Sequence, residues 1–163
     1  MINKNYLILI IFILFLLIPF KNQNANEILL YADKIYYDEK ENLIGKGNAK
    51  IIAEGKIIIS DLIIYSKNES KILLPLKFSL RDEKNNYYTG TDGYFSKNLE
   101  YAEINEPKIL LNDGSRIVGQ KAKRDKNIDI ISKGVYSPCR SKIKIANFLC
   151  PIWQLEGEKI LHD

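Results

Sequence analysis

ADKIYYDEKEN, Ala32 to Asn42, sets a small residue and an acid ahead of an aromatic, β-branched run and ends in a burst of turn formers. Tyr36, Tyr37 and Ile35 favour a pleated strand, and Asp38 to Asn42 supply the chemistry of a reversal. Similar stretches return as SDLIIYSKNES from Ser60, TDGYFSKNLEY from Thr91, GQKAKRDKNID from Gly119 and GEKILHD from Gly157. A strand followed by a turn, repeated about every 30 residues, describes hairpins that share one core.

The turn formers fall into two alternating sets. DEKEN (Asp38 to Asn42), SKNES (Ser66 to Ser70), SKN (Ser96 to Asn98) and DKN (Asp125 to Asn127) make one set. Glu54-Gly55, Asn85-Asn86 and Asn112-Asp113-Gly114 make the other. Segments of roughly ten residues between them have the length of strands. Ile72, Leu74, Leu76, Phe78 and Leu80 alternate with Lys77 and Ser79 at a period of two, and no helical stripe interrupts the pattern. Pro75 and Pro107, which cannot donate to a ladder, mark edges or bulges. The expected fold is all-β: an up-and-down meander of roughly eight or nine strands, bent as a V-shaped jelly roll. A solid-cored sandwich is the alternative.

Ahead of the repeats, Tyr6 to Phe20 is an uncharged apolar run of 15 residues preceded by Lys4. A spanning helix needs about 20 residues, so the run suits a secretory signal, with cleavage after Ala25. An uncleaved anchor is the alternative. Residues 1–25 are thus read as signal, 26–135 as the β domain and 136–163 as a cysteine-containing junction with a final strand. Without Lys4 and Lys21 the chain keeps 22 basic and 20 acidic residues, interspersed. That balance does not describe a nucleic-acid binder, which concentrates its charge. In an exported chain Cys139 and Cys150 are disulfide candidates, with each other or with a partner.

Catalytic patterns are missing from the sequence. The one histidine, His162, is the penultimate residue, with no nucleophile motif to serve. Gly45-Lys46-Gly47 lacks the spacing of a phosphate loop. Asp33, Asp61 and Asp92 share a repeat position, but each lacks the neighbouring acids a calcium site needs, so local bonding to backbone is the expected role. Neither enzyme activity, metal nor cofactor is expected. Ten tyrosines raise a second class, an exported carbohydrate-binding sandwich, but the sequence spreads them.

The ADKIYYD…GKGNAKI repeat after a signal segment resembles the OstA-like periplasmic domains of lipopolysaccharide transport proteins. Tyr136, Ser137, Cys139, Pro151, Ile152, Trp153 and Gln154 are similar to the junction joining periplasmic domain to barrel in the LptD family of outer-membrane assembly proteins. The resemblance implies a V-shaped jelly roll holding acyl chains. It also implies lipopolysaccharide as ligand, a like-folded bridge protein joined by strand addition, and an outer-membrane lipoprotein partner. The location would be the periplasm and cell outer membrane. The family's barrel is absent here, and the last repeat stops as it enters its turn, so the chain is expected to be a fragment. A bridge or anchored component of the same transport system is the other reading within that resemblance. Ile59, Leu74, Leu76, Phe78 and Leu110 are the expected groove residues, and Cys139 and Cys150 match the family's junction cysteines.

Overall fold

Bends in the middle of the strands, rather than the turns at their ends, shape this sheet. The structure is a computed structural model and describes residues 28–126, 128–138, 144–145, 148–149 and 154–162. The strands are β1 (Leu29–Tyr31), β2 (Lys34–Tyr37), β3 (Leu43–Ala53), β4 (Lys56–Ser66), β5 (Lys71–Leu74), β6 (Phe78–Arg81), β7 (Tyr87–Ser96), β8 (Tyr101–Leu110), β9 (Arg116–Val118), β10 (Lys121–Asp125), β11 (Ile128–Ser137), β12 (Lys144–Ile145), β13 (Phe148–Leu149) and β14 (Leu155–His162). Twelve form one antiparallel sheet in the order β1-β3-β4-β5-β7-β8-β10-β11-β14, with β2, β6 and β9 beside that path. β12 and β13 pair with each other in a separate two-stranded sheet.

β1 with β2, β5 with β6, and β9 with β10 are single passes broken at their middles, so the described residues cross the sheet nine times in sequence order. The all-β meander expected from the turn sets is the observed fold. Every one of the seven turn segments lies at a reversal. DEKEN (Asp38 to Asn42) and Asp82-Glu-Lys-Asn-Asn86 are built alike: the aspartate accepts from the backbone and side-chain amides of the asparagine four residues on, at 2.8 and 2.9 Å in both. Both turns place a non-glycine residue in the left-handed region, Glu41 (φ 59°) and Asn85 (φ 65°). Asparagine tolerates that conformation, and glutamate pays about 1–2 kcal/mol for it. Glu41→Gly is therefore expected to raise stability by up to about 1 kcal/mol, after glycine's own entropic cost; a shift of the urea midpoint at constant slope is the measurement.

The breaks line up across the sheet. Asp33, Gly47-Asn48, Asp61, Pro75 to Lys77, Asp92, Glu106-Pro107, Gly119-Gln120, Lys133 and Glu158 fall between the pairings of one limb and those of the other. β1, β6 and β9 pair only in the first limb, and β2, β5 and β10 only in the second. The longer strands run through both. At this crease Asn48, Asp92, Glu106 and Lys133 have φ between 45° and 49°. An added residue in the left-handed region is a bulge, and it inverts the two-residue phase of the strand.

That inversion keeps the same side inward on both limbs. In β8, Ala102 and Ile104 are buried before the crease, and Pro107 and Ile109 after it. In β7, Tyr88 and Gly90 give way to Gly93 and Phe95. Pro107 thus belongs to a bulge in the interior of the sheet, and Pro75 stands in the break between β5 and β6. The inward faces of the two limbs meet in one hydrophobic core that includes Ile51, Ile58, Ile63, Ile72, Leu80, Phe95, Ile117 and Ile131. Phe78 of the first limb meets Phe95 of the second edge to face, ring centres 5.9 Å apart.

Close approach at the crease requires glycine in places. A Cβ on Gly90 would stand 2.9 Å from the Asn105 carbonyl oxygen and closer still to Ile104. Gly47 (φ 78°) leaves room for Asp33, whose carboxylate accepts from Asn48 Nδ2 at 2.9 Å. Asn105 Nδ2 makes the equivalent bond to Asp92 at 3.2 Å. Asp33 and Asp92 therefore splice neighbouring strands at the crease.

The boundary expected at 135/136 falls within β11. β14, from the junction segment, pairs with β11 along Asp129 to Tyr136 and extends the same sheet. Among the described residues no helix is long and apolar enough to cross a membrane.

Candidate functional site

The candidate site is the trough between the two limbs, and alternation decides who lines it. Leu74 and Phe78 point inward, 0% and 4% exposed. Ile59, Leu76 and Leu110 are on the outside, with 48%, 47% and 42% of their surface exposed. The five expected groove residues therefore do not form one surface. Ile59 stands between inward Ile58 and Ser60, and Leu110 follows inward Ile109. Leu76 breaks the alternation of its neighbours because Pro75 to Lys77 is the crease itself. Cys139 and Cys150 lie outside the described residues, as do Tyr6 to Phe20 and Trp153.

The trough is filled by its own side chains. The void left between Leu80 and Ile109 of the first limb and Phe95, Ala102, Ile104 and Ala122 of the second is about 10 Å³, room for a single water at most. An acyl chain can enter only if the limbs part.

Where they would part, a polar group bridges them. Arg124 and Asp129 face each other across the β10–β11 hairpin of the second limb. Arg124 donates from Nε to Oδ1 at 2.8 Å and from Nη2 to Oδ2 at 2.9 Å, a two-pronged ion pair. From the first limb, Tyr88 donates its hydroxyl to Asp129 Oδ2 at 3.2 Å, with Asp82 Oδ2 at 3.4 Å also within reach. The Tyr88 ring lies under the Arg124 guanidinium, 5.0 Å away. His162 Nδ1 of β14 stands 3.8 Å from Asp129. Tyr88 and Asp129 are 4% and 7% exposed. Above this cluster the turns of both limbs border an open cleft of about 530 Å³, with Lys56, Asp82 and Lys84 on one lip and Glu100 and Lys126 on the other.

Burial pushes the Tyr88 phenol up, and the Asp129 charge adds to that, so Tyr88 stays a hydrogen-bond donor. Burial also pushes the Asp129 carboxyl up, but His162 and Arg124 outweigh it and hold the group below its usual value. A depressed carboxylate stabilises the fold fully above its unfolded value, about 4, and loses that contribution as pH falls through the lower folded value. The stability gap between the protein and Asp129→Asn is thus expected to stay level from neutral pH to about 5 and to narrow below about 4. Urea titrations at neutral, mildly acidic and strongly acidic pH read this gap.

The sequence carries two signals for this cluster. Asp129 shares the inward phase of Ile131, and Arg124 that of Ala122; the hairpin turn at Lys126 then sets them opposite one another. Among the described residues no three of His, Cys, Asp and Glu gather as a metal site. Exposed tyrosines are dispersed, with Tyr31, Tyr36 and Tyr37 at the first edge and Tyr87 and Tyr101 on separate limbs.

A sheet folded along a crease onto an apolar interior, whose outer strands each pair on one side only among the described residues, defines the class of LptA-like jelly rolls. The chain shares that fold with LptH, the LptA-homologous periplasmic component of the conserved lipopolysaccharide transport device from Pseudomonas aeruginosa. The two superimpose with a TM-score of 0.53 and 12% identity, over 62% of this chain and 77% of that one. At that identity the likeness is one of fold. No protein-family profile matches the chain, and none of the curated proteins compared matches it in sequence.

Proposed function

We propose that the protein is a periplasmic, non-enzymatic component of lipopolysaccharide transport that shelters acyl chains between the two limbs of its folded sheet. The observation that carries this reading is the trough itself: two inward apolar faces joined at one crease and held at the opposite mouth by side-chain contacts rather than by backbone pairing. Each methylene taken out of water contributes about 0.8 kcal/mol, so a chain of about 12 carbons brings on the order of 10 kcal/mol before ordering costs. Parting the limbs exposes core side chains that the acyl chain then covers again. Binding needs no catalytic group.

The outer strands fit partnership by strand addition. Among the described residues β1 and β2 pair only with β3, and β14 only with β11. The first edge carries exposed Tyr31, Ile35, Tyr36 and Tyr37, and the last carries Leu155 and Leu161. A like-folded neighbour would continue the sheet at either side.

Within this reading, the junction residues Tyr136, Ser137, Cys139 and Pro151 to Gln154 favour the periplasmic portion of an LptD-like outer-membrane assembly protein, with an outer-membrane lipoprotein as further partner and the cysteines linking the segments. The LptH-like fold with two free edges suits a bridge component equally. Fractionation separates the two: an LptD-like protein travels with the outer membrane, a bridge with soluble periplasm, and a chain anchored by Tyr6 to Phe20 with the inner membrane.

Photocrosslinkers test the conduit. Crosslinks to lipopolysaccharide in cells are expected from Leu74 and Phe78 and not from Ile59 or Leu110, which face outward. Labelling from the outward pair alone would place the lipid elsewhere and end the trough reading.

A further inference from the structure

We propose that Tyr88, Arg124 and Asp129 form a clasp that holds the two limbs shut over the apolar trough and must open before an acyl chain passes. This rests on the lipid-sheltering reading for its ligand, though not for its mechanics.

The placement of the three residues carries the inference. Tyr88 belongs to the first limb, where it pairs with Leu80 and Ile109. Arg124 and Asp129 belong to the second, where they pair with each other. Among the described residues no ladder hydrogen bond joins the limbs at this mouth. The bond from Tyr88 to Asp129 and the Arg124 guanidinium stacked on the Tyr88 ring span the gap instead. The same three residues border both the open polar cleft outside and the apolar void beneath. They are therefore the partition between water and the trough interior.

The chemistry suits reversible closure. Arg124 and Asp129 satisfy each other within one limb, so parting the limbs leaves neither charge unpaired. Only the Tyr88 hydroxyl and ring lose partners, and the hydroxyl has Asp82 on its own limb to turn to, 3.4 Å away. Tyr88 can thus exchange Asp129 for Asp82 as the mouth opens, keeping an acceptor in both states. Two separate ion pairs across the gap would instead strand buried charge on opening, at far greater cost.

The test measures the mouth and the ligand separately. Nitroxide-bearing unnatural residues at Lys84 and Lys126, one on each lip, report the gap in the full chain by pulsed spin-resonance distances and leave the native cysteines untouched. Tyr88→Phe removes the bridging hydroxyl and keeps the ring. It is expected to lengthen and broaden the distance distribution, with the far-ultraviolet spectrum unchanged. With an anthroyloxy-labelled fatty acid as probe, it is expected to speed uptake and release together, by up to about tenfold each, because the bond to Asp129 must break before the bond to Asp82 forms and its removal lowers that barrier. A residue that merely stabilised the fold would lower the melting temperature without moving the two rates in step. Unchanged distances in Tyr88→Phe overturn the clasp, whatever the rates do. Broadened distances with no probe bound by either protein uphold the clasp and overturn lipid sheltering.

Discussion

Proline at Ile58 is expected to abolish the folded state. Ile58 lies in β4, opposite Ile51 of β3 on one side and Leu80 of β6 on the other. Its N–H therefore serves an occupied ladder whichever neighbour it faces, and proline supplies none. Its side chain is 0% exposed in the shared core, so the loss of its branched bulk adds the cost of a cavity, about 2–5 kcal/mol for a truncation of that size. Together with the broken ladder this approaches the whole stability of a typical domain, about 5–15 kcal/mol. Loss of the cooperative urea transition and of the strand signal in circular dichroism is the expected result. Ile58→Val, which keeps the N–H, should cost only about 1 kcal/mol. A folded proline variant would mean that β4 is not a central strand.

Arg124→Leu is the second large effect. It leaves the buried Asp129 carboxylate without its two-pronged cation and with only His162, 3.8 Å away, beside Tyr88, a change that typically costs about 3–5 kcal/mol. Tyr88 retains its bond but cannot neutralise the charge. Arg124→Leu combined with Asp129→Leu is expected to recover most of that loss, because apolar groups of similar volume replace a buried pair at little net cost. The single variant should also regain stability in acid, as burial without Arg124 raises the Asp129 carboxyl and protonation removes the stranded charge. Urea denaturation of both variants measures this. A double variant no more stable than the single one would show that the pair supports the fold through more than mutual neutralisation.

Particular residues show how far a linear reading reached. The seven turns were legible because aspartate, asparagine, serine and glycine favour reversal by local bonding; the Asp38–Asn42 and Asp82–Asn86 bonds are wholly contained in five residues. Alternation in Ile72 to Leu80 was legible on each side of Pro75 but not through it. Leu76 fits the period in the sequence and leaves the core in the structure, because the crease interrupts the strand there. Ile59 and Leu110 were ambiguous for another reason: Ile57-Ile58-Ile59 and Ile109-Leu110-Leu111 are apolar on both phases, so no period tells inside from outside. Asp33 and Asp92 were marked by their repeat position, and their bonding across the crease became visible only with the asparagines of the next strand in place.

Hairpin order and the all-β class were written into the sequence, since each depends on residues only a few positions apart. The inward face of every strand, the closed trough and the clasp were not. Those follow from where bulges invert the alternation and from contacts such as Tyr88 with Asp129, 41 residues apart. Such a contact exists only after two limbs have folded onto each other, because it is the burial of both inner faces, rather than any local preference, that brings its partners together.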